Sequence, residues 1–180
     1  MKLFYLTIFS LLRIPLLILS ILLFVLIYSE DKSEITRSIQ EDVRKCMAAV
    51  YSADVDVVLT FTHPKIIDLM GGKEKAKEIL TKTLTKLKES EMKVESLEFP
   101  EIPKYFDSKK NQFVIISTLT IISSKGQKAE SLNFQLGIKA IGENKWTYIE
   151  GSRINNENIK QLFPDFPDNY EFPKCTRKKL

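Results

Sequence analysis

The chain contains one histidine, His63, and it stands in Thr62-His63-Pro64, directly ahead of a proline and shortly before Gly71-Gly72. Imidazole is the one side chain whose ordinary pKa lets it give and take protons near neutrality, so a lone histidine raises the question of acid–base chemistry. One reading makes His63 a base or donor at a pocket mouth, with Tyr51 and Glu150 as neighbours. The plainer reading makes it a loop residue whose ring covers apolar surface and bonds the backbone. A second constellation is Trp146-Thr147-Tyr148-Ile149-Glu150, where alternation along a strand puts Trp146, Tyr148 and Glu150 on one side and Thr147 and Ile149 on the other. Two aromatics with a carboxylate at a strand end suit a small-molecule pocket. Core packing for the rings and a solvated end for Glu150 is the structural alternative. The candidate ligand-binding set is therefore Tyr51, His63, Trp146, Tyr148 and Glu150. No catalytic residue is assigned; His63, Glu150 and Tyr148 are the candidates for one.

Other chemistries are argued against by the residues present. With one histidine and no C-x-x-C or H-E-x-x-H, a metal site is not expected, and nothing points to a cofactor. Gly71-Gly72-Lys73 resembles part of a phosphate loop but lacks the earlier glycine and the hydroxyl after the lysine. No G-x-S-x-G elbow is present, and Asp54 and Asp56 are accounted for by helix capping. Cys46 and Cys175 are an even pair: one disulfide, or two free thiols with one buried.

The residues that would position a site begin after an extreme N-terminus. Leu3 to Tyr28 is apolar almost throughout, broken by Arg13, Pro15 and a few hydroxyls. Its uninterrupted part, Ile14 to Tyr28, would rise only about 22 Å as a helix against a hydrocarbon core of about 30 Å. Arg13 snorkelling to the interface would lengthen the span, and bulky Leu26-Ile27-Tyr28 stands where a small-residue cleavage site belongs. Residues 1–29 therefore read as an uncleaved signal anchor, with a cleaved signal peptide as the alternative. Lys2 and Arg13 before the run and Glu30, Asp31 and Glu34 after it put the rest of the chain on the extracytoplasmic side, or make it secreted if the segment is removed. Lys2 and Arg13 supply two of the 27 basic residues, so 25 face 23 acidic ones in the remainder, a net +2 that argues against nucleic acid as a partner.

Beyond the segment, Ile35, Ile39, Val43, Cys46, Met47 and Val50 recur at helical spacing and predict a first helix over Ser33 to Val50. Ser52 and Asp54 cap a second, which must end near Thr62 because Pro64 pushes His63 into extended geometry. Pro64 starts a further helical turn that Gly71-Gly72 closes. Ala76, Ile79, Leu80, Thr83, Leu84 and Leu87 predict the buried stripe of a third helix, Lys73 to about Glu91, whose lysines and glutamates form a solvated face with Glu78 well spaced for Lys82. Four strands are expected over Met92 to Phe99, Gln112 to Ser123, Ala129 to Ile141 and Lys145 to Glu150, with turns at Ser124-Lys125-Gly126-Gln127 and Gly142-Glu143-Asn144. A short helical turn, Asn156 to Leu162, precedes a Pro-rich, basic tail, 163–180. Helices followed by antiparallel strands make an α+β domain over 33–162, three N-terminal helices packed on one face of the sheet.

This order of elements resembles the nuclear-transport-factor-2-like superfamily, the SnoaL-like cone fold, in which a curved antiparallel sheet wraps a long helix and leaves a pocket. The string THPKIIDLMGGKEKAKEIL, the run ES-EMKVESLEF and the strand ENKWTYIEGS look like those of a functionally unassigned group of exported bacterial proteins of that type. The resemblance spans about Ser33 to Leu162. It implies the fold and leaves the activity open, since the superfamily holds isomerases, dehydratases and epoxide hydrolases beside non-catalytic domains. The expectation is a membrane-anchored or exported, non-enzymatic domain that binds a small apolar ligand or an envelope partner through its pocket or open sheet face. The alternative is a lyase, isomerase or hydrolase on a small apolar substrate, with His63 or Glu150 as base and a tyrosine as donor. A homodimer through the exposed sheet face is a third expectation.

Overall fold

The computed structural model describes residues 32–180. The expected anchor or signal peptide, 1–29, lies outside them. Among the described residues no helix is long and apolar enough to cross a membrane. Residues 32–52 are helical (α1), and the boundary between two compact units falls within this helix, after Ile39. The second unit, residues 40–180, contains the rest of α1 and every later element.

Local chemistry sets the helical half. The Asp54 carboxylate accepts from Val57 N at 3.2 Å and opens α2, Val55–Phe61. Thr62 and His63 are both extended, at ψ 133° and 135°, helical geometry being disfavoured in the residue directly before Pro64. Pro64 then begins α3, Pro64–Leu69. Gly72 N bonds Ile67 O at 3.0 Å with Gly71 and Gly72 at φ +93° and +90°, a left-handed closure that side chains resist.

Helix α4, Lys73–Glu89, is less buried than its pattern predicts. Ala76 and Leu84 are buried, but Ile79 and Thr83 are exposed, so the expected stripe narrows to Ala76, Leu80, Leu84 and Leu87. The reason is what the stripe meets: Leu84 closes on Ala49 of α1 and Val58 of α2, and two helices cover a thinner strip than a sheet would. The opposite face is ionic, with Glu78 held between Lys75 at 2.8 Å and Lys82 at 2.7 Å.

The sheet has six antiparallel strands rather than four. Its centre is a hairpin of two long strands, β3 (Asn111–Ser124) and β4 (Gln127–Ala140), joined through Lys125 and Gly126, both at positive φ as a two-residue hairpin turn demands. Along the outer side of β3 lie two short strands, β1 (Lys93–Glu98) and β2 (Lys104–Asp107). Along the outer side of β4 lie β5 (Thr147–Glu150) and β6 (Thr176–Lys179). Strands β2 and β6 escaped the pattern because KYFD is boxed by turn residues and TRKK has no apolar residue at all.

Part of each sheet face carries a packed layer. Tyr148 lies against α1 and α2, its hydroxyl on Asp42 and its ring 6.3 Å from that of Phe61. On the other face Phe113, Ile115, Phe134, Leu136, Ile138 and Ile149 form the main core. What covers them is Ile159 of α5 (Asn156–Leu162) together with Phe163 and Phe166, packed with Tyr170 and Phe172. The stretch expected as a tail thus carries two of the most buried side chains in the protein, Phe163 at 2% and Phe166 at 1% exposure. Its prolines stiffen the path between aromatic anchors rather than marking loose chain. Phe166→Ala should therefore cost about 3–5 kcal/mol in urea unfolding, while Lys174→Ala in the same stretch should change stability by less than about 0.5 kcal/mol. Equal effects from the two would contradict this packing.

Candidate functional site

The five candidate side chains each have a partner, and the partners differ. His63 caps α3: its Nδ1 accepts from Lys65 N at 3.1 Å, while its own backbone N–H donates to Tyr148 O at 3.1 Å. The ring stands edge-on to Phe163 at 5.1 Å between centroids. Burial, then the Lys65 charge, pushes its pKa down to about 4, so the ring is neutral in the folded protein at neutral pH. Lys65 continues the contact, its Nζ 4.6 Å from the Phe163 ring centroid and donating to Leu162 O.

Tyr148 is on the opposite face of β5. Its hydroxyl donates to Asp42 Oδ2 at 3.0 Å, and burial, with the Asp42 charge beside it, drives the phenol's pKa far above its ordinary value. The ring lies over Gly137, where a Cβ would come within 2.6 Å of Val114 Cγ1 and 3.2 Å of Tyr148 Cε1. Gly137 thus leaves room for the β5 aromatic against the sheet. Cys46, one α1 turn beyond Asp42, has its thiol raised to about 11 by burial and the same carboxylate.

Glu150 ends β5 and caps the single 3-10 turn Gly151–Arg153. It accepts from Ser152 Oγ at 2.6 Å, from Ser152 N at 3.2 Å and from Asn133 Nδ2. Cys175 donates from Sγ to Asn133 Oδ1 at 3.0 Å, and both cysteines are free thiols. Trp146 precedes β5 and lies under Lys139, whose Nζ is 5.2 Å from the ring centroid. Tyr51, at the end of α1, is within electrostatic reach of Arg177, which pulls its pKa down against the larger upward effect of burial.

His63 and Glu150 therefore do not meet, and neither side chain bonds a tyrosine. An acid–phenol pair does form at Asp42–Tyr148, and Asp42 is not among the candidate residues that the sequence offered. Among the described residues no cluster of histidine, cysteine, aspartate and glutamate could hold a metal ion. No family model, curated protein or solved structure matches the chain.

A cavity of about 470 Å³ lies at the free end of the hairpin. Met92, Ile122 and Ala129 give it apolar walls, and Lys125, Arg177 and Lys179 stand around them. Pattern reading missed it because two of its cations sit on β6, which carries no strand signal.

Two titrations test these assignments. His63 has a folded pKa of about 4 against 6.5 unfolded, so its contribution is present above 6.5 and is lost as pH falls toward 4. Protonation also converts the capping Nδ1 from acceptor to donor. His63→Asn, which keeps a cap oxygen, should match the parent near pH 7 and exceed it by about 1–2 kcal/mol at pH 4, a figure reduced for partial solvation. Parallel stability curves for the two proteins would rule this out. Tyr148 has the opposite sign, its neutral form being favoured by folding, so stability is lost as pH rises above 10. Tyr148→Phe should cost about 1–2 kcal/mol at pH 7 and flatten the alkaline limb of the curve, read by thermal unfolding.

Proposed function

We propose that the chain is a non-catalytic binding domain of the cone type, nuclear-transport-factor-2-like, exported or membrane-anchored through its N-terminal segment, whose ligand is small and mainly apolar. The observation that carries this reading is the separation of the candidate groups. General acid–base catalysis needs at least two polar groups converging on one substrate atom. Here the His63 imidazole is turned to Phe163 and the Tyr148 hydroxyl to Asp42, on opposite faces of the sheet, while Glu150 is spent on Asn133 and Ser152. The cone assignment draws support from the long hairpin with paired short strands on each side and helices across one face.

A lyase, isomerase or hydrolase activity is the second reading, favoured by the Asp42–Tyr148 pair, with Cys46 and Tyr105 within electrostatic reach of the same phenol. The two readings separate in one experiment. The full chain in zwitterionic nanodiscs is incubated with a fractionated metabolite extract, and bound and free pools are followed by mass spectrometry. Binding without chemistry predicts that retained compounds keep their mass and that no compound is consumed over time. Time-dependent conversion that disappears in Tyr148→Phe would replace the binding reading with the enzymatic one.

A further inference from the structure

The charges around the hairpin-end cavity fall into two groups. Lys128 is neutralised by Glu95 at 2.6 Å, and Lys178 points to the far face, directly opposite Glu130 in the β4–β6 register. Arg177 and Lys179 alternate with Lys178 and so share the other face, opposite Ser131 and Ala129. Among the described residues neither they nor Lys125 has a carboxylate within ion-pair distance. Protection of an exposed strand edge would explain basic residues on β6, but not why the unpaired ones gather on the side that walls a cavity while the outward one faces a glutamate. The cavity is a half-open cleft of about 470 Å³, and Met92, Ile122 and Ala129 line it with hydrocarbon. Arg177 is also felt at Tyr51, which places its charge toward the end of α1.

We propose that this cavity binds a single-chain anionic amphiphile, a carboxylate or phosphate head held by Arg177, Lys179 and Lys125 with its alkyl part on Met92, Ile122 and Ala129. This rests on the non-catalytic reading above and names the ligand class. Guanidinium supplies a two-pronged donor to an oxyanion and the lysines add point charges, while the apolar wall rewards a chain that inorganic anions lack. The head group is the same whether the ligand is a free amphiphile or a lipid of a nearby bilayer.

The test uses the full chain in zwitterionic nanodiscs and an octyl phosphate carrying a diazirine on its alkyl end. After photolysis, label should concentrate on the peptides holding Met92, Ile122 and Ala129. Unlabelled octyl phosphate should displace it, whereas octanol or inorganic phosphate at the same concentration should not. Arg177→Gln with Lys179→Gln should reduce site labelling about tenfold or more. Lys125→Asn, a residue the positive-φ turn accepts, should reduce it severalfold and serves if the double variant does not fold. Labelling that is spread over the chain, unchanged in both variants, or displaced equally by inorganic phosphate would overturn the proposal. A diazirine-bearing lysophosphatidic acid carried in the disc distinguishes the source: label at the same peptides assigns the ligand to the bilayer, and none assigns it to the free amphiphile. Failure here leaves the binding reading standing if the metabolite pools still show retention without turnover, and conversion in those pools removes both.

Discussion

The rest of the architecture depends on the register of one β-hairpin. Fourteen residues of β3 pair with fourteen of β4, and each pair decides a face: Phe113 with Ile138, Ile115 with Leu136 and Ser117 with Phe134 on one side, Val114 with Gly137, Ile116 with Gln135 and Thr118 with Asn133 on the other. A slip of β4 by one residue against β3 would turn all its side chains to the other face. Phe134, Leu136 and Ile138 would then meet the helices, and Gly137 would leave a gap in the aromatic core. The two-residue turn at Lys125-Gly126 holds the register at one end, and short strands on both flanks hold it laterally.

That constraint also explains why the candidate residues part company. Strand β5 joins the hairpin with Tyr148 opposite Gly137 and Ile149 opposite Leu136, so Tyr148 faces the helices and Ile149 the aromatic layer. His63 reaches β5 only through its backbone, as Thr62 forms an isolated bridge to Tyr148. From there the start of α3 carries its ring over to Phe163. Two residues joined by a backbone hydrogen bond thus serve opposite faces of one sheet.

Much of this was legible in the amino-acid order, and the failures have physical causes. Pro64 ejecting His63 from the helix, Asp54 as a cap and Gly71-Gly72 as a stop are local effects, readable within a few residues. Ile79 and Thr83 were misjudged because helical periodicity states which residues are aligned, not how wide a surface will receive them. Phe163, Phe166, Tyr170 and Phe172 are separated by prolines and polar residues without period, since they answer to pockets in the sheet rather than to a regular element of their own. Strand β6 is the extreme case: Thr176 to Lys179 is recruited by the vacant side of β4 and has no hydrophobic reason to be a strand. Arg177 and Lys179 therefore came to the cavity unannounced, whereas Trp146, Tyr148 and Glu150 were visible but found partners that a pocket does not require.

The placement of Phe163, Phe166 and β6 has a consequence for how the chain is made. The aromatic side of the core needs rings that lie well beyond the hairpin in sequence, and β6 docks on residues of β4 synthesised dozens of positions earlier. Contacts so distant in sequence form late, and a nascent chain lacking them leaves Phe113, Phe134 and Leu136 without a cover. The hydrophobic face of the sheet thus stays uncovered, and open to a chaperone, until residues 163–179 have been made and have docked.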